Sequence, residues 1–348
     1  MRLEPIAAPS LARRLGLPAL ALGATLAVGI ALAGIAGGDP GAVLAQIVEG
    51  AVGSKFARLE TLNRATPLIF TGLAVAVAFR ARLWNIGAEA QLYLGAVLAV
   101  LVGTRSGLPP ALMLPAMAMA AILAGALTLL GPTLLKTRLG VDEVVTTLLL
   151  NFVVLLLVGY LLEGPMKDPM GMGWPKSERL PPEARLPRMA EGLRLHWGFG
   201  LALIAAAAVW VVERRTTLGF EMRATGLNPR AARFAGMPVN AVLVKTALIS
   251  GGLAALAGFS EVAGLKGTLT ADLSPGFGYT GIVVAMLAGL NPLGVVVAAL
   301  FTAGIFVGAD AMSRASGVPS YIADILLASA LLFMVLALGL TRMRVVRG

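Results

Sequence analysis

The chain contains no cysteine and only one histidine, and each scarcity excludes a class of chemistry. Without cysteine it has no disulfide, no catalytic thiol and no cysteine-ligated metal. A single histidine cannot build a metal site, and the polar sequence around His196 predicts a surface position for it. Charged residues are also scarce, at 13% of the 348 residues against about 25% in a soluble domain. With 58% hydrophobic residues and a mean hydropathy of +0.86, the composition predicts an all-α membrane protein.

The sequence also lacks the motifs that would let it hydrolyse ATP or a peptide. It has no GxxxxGKS/T phosphate loop, and the Gly-Ser-Lys at 53–55 lacks the glycine spacing that such a loop needs. It has no HExxH sequence and no GxSxG sequence. We therefore expect that the chain is not an enzyme, and that it binds no cofactor itself.

Apolar segments of membrane length follow one another along the chain. The first is about 20 residues long, which exceeds the core of about 7–15 residues in a signal peptide, so we interpret it as a membrane span. Cleavage near Gly37 is the alternative. The pattern predicts about ten transmembrane helices, at about 17–36, 65–83, 88–102, 110–135, 144–162, 199–212, 241–259, 277–290, 293–309 and 322–340.

Basic residues mark one side of the membrane. They are concentrated before the first segment, after the last, and at the ends of segments two, four and six. The positive-inside rule makes these positions cytoplasmic, and an even number of crossings then places both termini there. We predict one transmembrane domain over residues 1–348, with a cytoplasmic N-terminus (1–16), an external loop (163–197), a cytoplasmic loop (213–240) and a cytoplasmic tail (341–348).

The net charge of +10 does not indicate a nucleic-acid partner. Its excess lies at the two termini and in the cytoplasmic loop, where a membrane protein is expected to be basic. The basic residues are not interleaved with aromatic residues. We therefore expect the lipid bilayer as the surroundings of this chain, and no nucleic acid.

The cytoplasmic loop contains the signals of a short, capped helix. Asn228 suits the N-cap, Pro229 suits the first helical position, and Gly236 with Pro238 beyond it suits the end. The predicted helix, 229–235, has about two turns and is too short to be stable alone in water. We interpret it as a helix that docks on a partner protein, with Ala232 on the docking face. A solvated basic linker against lipid headgroups is the alternative.

Polar residues at the start of the third segment are candidates for a solute path. Asn85, Glu89 and Gln91 all lie there, and a carboxylate inside a membrane normally faces a cavity or a partner. If the segment is helical from Asn85, this residue shares a face with Glu89 while Gln91 points elsewhere. The alternative is that Glu89 lies at the inner interface and pairs with Arg80 or Arg82.

Further polar and small residues lie within or beside other segments. Asn151, in the fifth segment, either bonds a neighbouring helix or lines the path. Glu261 and Asp324 are predicted near the outer face, in interfacial roles. The GxxxG pattern at 304–308 predicts close helix packing. A similarity between 85–103 and 278–289 suggests two related halves.

Four stretches together resemble a known family: FRARLWNIGAEAQLYLGA, VDEVVTTLLLNFVV, GFEMRATGLNPRAARFAGM and GYTGIVVAMLAGLNPLGVVVAALFTAG, at 79–96, 141–154, 219–237 and 278–304. They resemble the permease subunit of ABC importers of the branched-chain amino acid and ribose type. Within that type, the chain is similar to the nucleoside permeases that work with a BMP-type lipoprotein.

The resemblance implies a type II importer fold in a bacterial inner membrane, with a path between two permease subunits. It implies a separate ABC ATPase that carries ATP and Mg²⁺, a second and different permease, and a substrate-binding lipoprotein. The expected solute is a nucleoside or a related purine or sugar. The family's coupling helix, which seats in the ATPase, maps onto Gly226, Asn228, Pro229, Ala231, Ala232, Ala235 and Gly236.

Two other classes stay open on the sequence alone. A secondary transporter driven by an ion gradient would need a coupling carboxylate near the midplane, for which Glu89 is the candidate. A structural membrane scaffold would transport nothing.

Overall fold

Most of the described residues are helical, because inside a bilayer a helix satisfies its own backbone hydrogen bonds. The computed structural model describes residues 2–5, 10–35, 40–189, 194–316 and 343–346, with isolated positions between 321 and 340. This confirms the predicted all-α class. The tenth predicted segment, 322–340, and with it Asp324, lies mostly outside the described residues.

Each of the first nine predicted segments overlaps a helix, but the helix of the second begins ten residues early, at Lys55, and the helices Pro40–Val48 and Thr217–Leu227 were not predicted. Three of the helices continue into or out of a π-helical turn, at Glu49–Gly53, Leu135–Leu139 and Glu261–Lys266. The described α-helices are α1 (Leu11–Ile35), α2 (Pro40–Val48), α3 (Lys55–Arg80), α4 (Ala88–Arg105), α5 (Pro110–Leu134), α6 (Glu143–Glu163), α7 (Gly198–Arg215), α8 (Thr217–Leu227), α9 (Pro229–Phe234), α10 (Val239–Ser260), α11 (Phe277–Leu287) and α12 (Pro292–Ser316).

Five helices among the described residues are long and apolar enough to cross a membrane. In chain order they are α3, α5 with its π-helical turn, α6, α10 with its π-helical turn, and α12. They correspond to predicted segments two, four, five, seven and nine. Shorter apolar stretches lie in α1 and α11. The 11 residues of α11 span about 16 Å, roughly half of the hydrocarbon thickness.

The chain divides into two compact units, Met1–Thr61 with Phe301–Gly348, and Leu62–Leu300. In the first unit, strand β1 (Arg2–Pro5) pairs antiparallel with strand β2 (Met343–Val346), so the two end segments lie side by side. That both termini are cytoplasmic stays a prediction. That the whole chain forms one domain stays a prediction.

The GxxxG pattern of α12 packs against α2 and the turn after it, as predicted. A Cβ added at Gly308 would overlap the carbonyl group of Ile47, and one at Gly304 would meet the side chain of Ala51 at 3.6 Å. The close approach of α2 and α12 therefore requires glycine at 308, whereas a methyl group at 304 would make only an ordinary contact.

The second unit has its core where α4, α5 and α10 meet at glycines. A Cβ on Gly251 of α10 would overlap the backbone of Gly125 on α5, and a Cβ on Gly258 would overlap the Leu92 carbonyl on α4. The three helices therefore pack backbone against backbone, which places the start of α4 in the interior.

The loop between α6 and α7 is ordered by hydrogen bonds to the segment that follows α10. Backbone amides of Ser177, Leu180 and Leu186 donate to the carbonyls of Leu269, Gly267 and Ala263, at 2.8–2.9 Å. His196 of this loop and Glu261 of the segment after α10 are both buried in this packing.

His196 is fully buried, so its predicted surface position is wrong. Its ring fits against Gly198 and Gly264, where an added Cβ would overlap it. Its Nδ1 accepts from the amide of Gly198 at 3.1 Å. Glu261 is also buried, at 3% exposure, instead of lying at an interface with water.

Candidate functional site

Two short helices, α8 and α9, form the loop predicted to be cytoplasmic. Thr216 caps the first helix by accepting from the amide of Gly219 at 3.2 Å. A Cβ on Gly219 would meet the backbone of Glu213 at 2.5–2.6 Å, so α8 turns back closely against the end of α7. The sequence predicted only the second helix, because the exposed residues of α8 include the apolar Phe220 and Leu227 and its buried residues include Gly219 and Gly226, so no apolar face marks it.

The second helix begins and ends with the chemistry predicted for it. The side chain of Asn228 accepts from the amides of Arg230 and Ala231 at 3.0 and 3.1 Å. Pro229 occupies the first helical position, and Gly236 has a φ of +82°, in the left-handed region that follows a helix end. The helix closes at Phe234, one residue earlier than predicted.

The exposed face of α9 is not the one that the sequence indicated. Ala232 is only 4% exposed and packs inward, so its predicted place on the docking face is wrong. Phe234, two residues further, lies about 200° around the helix and is 96% exposed. Leu227, just before the cap, is 79% exposed. Ala231 and Ala235 are exposed as well.

Gly226 has a packing role within the permease domain. It is buried, and a Cβ there would overlap the carbonyl oxygen of Arg80 at the end of α3. Glycine at this position therefore seats α8 directly on the α3 backbone. Among the predicted coupling residues, Asn228, Pro229 and Gly236 shape α9, while Gly226 seats α8 and Ala232 packs inward. The remaining two, Ala231 and Ala235, are exposed.

A charged cluster ties α8 to its neighbours. Arg80 forms an ion pair with Glu213 of α7 at 3.1 Å and donates to the carbonyl of Leu290. Arg223 of α8 donates to the carbonyl of Glu213. Arg80 is thus paired with Glu213, and the alternative that it pairs with Glu89 is wrong.

The polar residues at the start of α4 form a buried hydrogen-bond network. Asn85 and Gln91 exchange two side-chain hydrogen bonds of 2.9 Å each. Asn85 also donates to the Ser250 hydroxyl at 3.0 Å, and Ser250 donates to the carbonyl of Ala74 at 2.7 Å. Asn85 precedes α4 in a non-helical segment, so the predicted helical face shared with Glu89, and the divergent direction of Gln91, are both wrong.

Glu89 holds the beginning of α11. Its Oε2 accepts from the amide of Gly278 at 2.6 Å, and Ser274 and the backbone of Gly276 also hydrogen bond to this carboxylate. A Cβ on Gly278 would overlap the Glu89 backbone, so α4 and α11 touch here. A carboxylate at the positive N-terminal end of a helix is stabilising, and the Glu89 carboxylate makes this interaction with α11 inside the protein.

Asn151 of α6 forms hydrogen bonds with both α4 and α11. Its Oδ1 accepts from the amide of Ala90 at 2.9 Å, and its Nδ2 donates to the carbonyl of Ile86 at 2.9 Å and to the hydroxyl of Tyr279 at 3.0 Å. The predicted bond to neighbouring elements is confirmed, and Asn151 itself is fully buried. Tyr279 is 38% exposed, so its ring is the part of this network that a solute can reach. That these residues line a path stays a prediction.

Long apolar helices, a buried polar network at a half-length helix and an exposed capped helix describe a multi-pass membrane protein, and comparison with known proteins gives its class. The chain belongs to the family described as "Branched-chain amino acid transport system / permease component", whose profile matches residues 57–338.

Named relatives support the same class. The chain is 39% identical over 341 residues to the glucose ABC transporter permease protein TsgB13 of Haloferax volcanii, covering 95% of this chain and 89% of that one. It is 36% identical to the guanosine ABC transporter permease protein NupP of Bacillus subtilis, covering 91% of each. It is 29% identical to the nucleoside ABC transporter permease protein NupB of Lactococcus lactis, covering 81% and 80%.

These similarities confirm the family resemblance seen in the sequence. The chain is a multi-pass membrane permease subunit of an ABC importer, which implies an ATPase and a substrate-binding protein as partners. The family match therefore favours an ATP-driven permease over the alternative of a secondary transporter driven by an ion gradient.

Proposed function

We propose that this permease forms a nucleoside path in a bacterial inner membrane, and that α8 and α9 couple it to the ATPase. The ATPase would carry ATP and Mg²⁺, a second and different permease would complete the path, and a lipoprotein would deliver the solute. Both termini and the α8–α9 loop would be cytoplasmic, in agreement with their basic residues.

The exposure of Phe234 is the observation that carries the coupling role. A phenylalanine that is 96% exposed on a well-capped helix leaves a large apolar side chain in water. Arg230 and Arg233 flank it, and both are exposed. An aromatic anchor with arginines beside it is the composition of an interface centre, where such residues dominate binding. We infer that Phe234 inserts into a cleft of the ATPase and that the arginines meet acidic groups around it.

Phe234→Ser tests this role. We expect normal membrane insertion with at least a tenfold loss of ATPase association, because the apolar anchor is removed. Association is measured by co-purification of the tagged permease with its ATPase. The matched control is Trp174→Ser, which removes another exposed aromatic residue from the loop predicted to be external. Unchanged association in Phe234→Ser would contradict the docking role.

The solute is the second part of the proposal. Relatives named for guanosine and for nucleosides favour a nucleoside, and the relative named for glucose favours a sugar as the second candidate. Both solutes present a hydroxylated ring, and only the nucleoside adds an aromatic base. The half-exposed ring of Tyr279, held by Asn151, offers a stacking surface to such a base.

A further inference from the structure

A cavity of about 500 Å³ lies where α3, α7 and α8 meet the start of α12. All of its lining residues belong to the unit that spans Leu62–Leu300. Its size falls within the range of small-molecule sites, about 300–1,000 Å³. The lining residues are Arg80, Glu213, Arg214, Arg223, Gly289, Asn291 and Pro292.

Positive charge dominates this cavity. Three arginines and one glutamate line it, so the net charge of its side chains is +2. The Oε2 of Glu213 is paired with Arg80 at 3.1 Å, while its Oε1 is buried and makes no hydrogen bond within the described part of the chain. Three guanidinium groups and a single carboxylate therefore line this cavity.

Arg80 and Arg223 are fixed in place while keeping donors to spare. Arg80 donates through Nη2, and Arg223 through Nη1, to backbone carbonyls. A guanidinium group has five N–H donors, so each retains several. The Nε of Arg80 is buried and makes no hydrogen bond within the described part of the chain. Preorganised donors around a cavity are what a recognition site for an anion requires.

We propose that this cavity binds the phosphate group of a small anion. A phosphate monoester carries close to two negative charges at neutral pH and three acceptor oxygens, which matches the net charge and the three guanidinium groups. Two sources have this chemistry: a soluble phosphate ester, or the headgroup of an anionic lipid. A neutral nucleoside or sugar lacks the charge, so this site differs in chemistry from the proposed path.

A phosphate group bound in this cavity would also affect the proposed coupling between the permease and its ATPase. Arg80 ends α3, Arg214 lies near the end of α7, and Arg223 belongs to α8, so one phosphate group would bridge three helices. Gly226 already seats α8 on the Arg80 carbonyl. The bound anion would hold α8, and the α9 helix attached to it, in the position seen here.

The test measures anion-dependent stabilisation of the purified permease–ATPase complex without ATP. Glycerol phosphate is titrated at constant ionic strength, with potassium chloride as the compensating salt, and the unfolding midpoint is followed. We expect a saturable rise in the midpoint and at least a tenfold weaker apparent affinity in Arg223→Gln and in Arg214→Gln. Arg214 is exposed, so its variant keeps the test valid if Arg223→Gln does not fold.

Arg215→Gln is the matched control, since it removes the same charge one residue away from a lining position. It should leave the affinity unchanged. A lipid source is examined in nanodiscs containing either phosphatidic acid or only phosphatidylcholine. Stabilisation by phosphatidic acid that Arg214→Gln and Arg223→Gln abolish assigns the site to a headgroup. No stabilisation by either source, or equal losses in Arg215→Gln, would overturn the proposal.

Discussion

At the scale of single residues, burial decides what each polar side chain does. Asn85, Gln91 and Asn151 are each fully buried, and each is satisfied by hydrogen bonds inside the protein. Glu89 is satisfied by the start of α11. Asn85 and Gln91 bond each other, but Asn151 and Glu89 bond segments about 60 and 190 residues away, which no local pattern specifies.

The burial of His196 gives a prediction about pH. Burial lowers the pKa of His196 from 6.5 to about 4, because the protonated ring loses its hydration in this position. The unfolded loop takes up the proton at about pH 6.5 and the folded loop only at about pH 4. Stability contributed by the neutral ring is therefore full above pH 6.5 and is lost as pH falls towards 4, by on the order of 3 kcal/mol at most.

Hydrogen exchange of residues 177–198 between pH 4 and 7.5 measures this effect, after correction for intrinsic exchange. We expect opening of the loop to become easier below pH 6.5 in the natural chain. His196→Gln keeps a neutral side chain throughout and removes that part of the pH dependence. An identical pH dependence in the two proteins would show that His196 does not titrate as its burial requires.

At the scale of elements, backbone contact between helices is the feature that holds the second unit together. Helices α4, α5 and α10 approach each other at Gly95, Gly125, Gly251 and Gly258. The sequence indicated the helices by their apolar length, but it did not indicate which of the 42 glycines carry these contacts. Glycines on lipid-facing positions look the same in sequence, because the contact depends on which helices become neighbours.

Gly251→Ala should therefore destabilise the protein strongly. The new methyl group would overlap the Gly125 backbone, which cannot move as a side chain can, and overpacking of this kind costs about 1–3 kcal/mol. Gly131→Ala is the matched control on α5, since nothing lies within 4 Å of a Cβ added there. It should be neutral or raise stability by up to about 1 kcal/mol through helix propensity. The thermal unfolding midpoint in detergent distinguishes them, and equal midpoints would contradict the close packing.

At the scale of the whole molecule, membership of the ABC importer permeases implies that transport depends on an ATPase in another chain. Reconstituted vesicles containing the permease subunits, the ATPase and the binding protein should take up guanosine only when ATP is present. Glucose at equal concentration should be taken up at least tenfold more slowly. A proton gradient without ATP should drive no uptake.

The control for that experiment is the Phe234→Ser permease in the same vesicles, which should retain solute binding by the lipoprotein and lose ATP-driven uptake. Uptake of glucose in preference to guanosine would reverse the solute assignment while leaving the coupling role intact. Uptake that persists in Phe234→Ser would count against coupling through α9.

The sequence by itself determined the class, the placement of the long helices and the caps of α9. These properties are local: membrane length follows from a run of apolar residues, and a cap follows from the residues beside it. Asn228, Pro229 and Gly236 act as their types predict. The family motifs, spread over most of the chain, carried the identification further than composition could.

Only the tertiary structure decided which side chains meet. In the folded chain His196 and Ala232 are buried and Phe234 is exposed. Arg80 pairs with Glu213, and Glu89 accepts a hydrogen bond from the start of α11. Each of these outcomes depends on which helix lies next to which, and helix neighbours are set by packing among distant segments. The arginine cavity arises in the same way, because its residues come together only when α3, α7, α8 and α12 are folded.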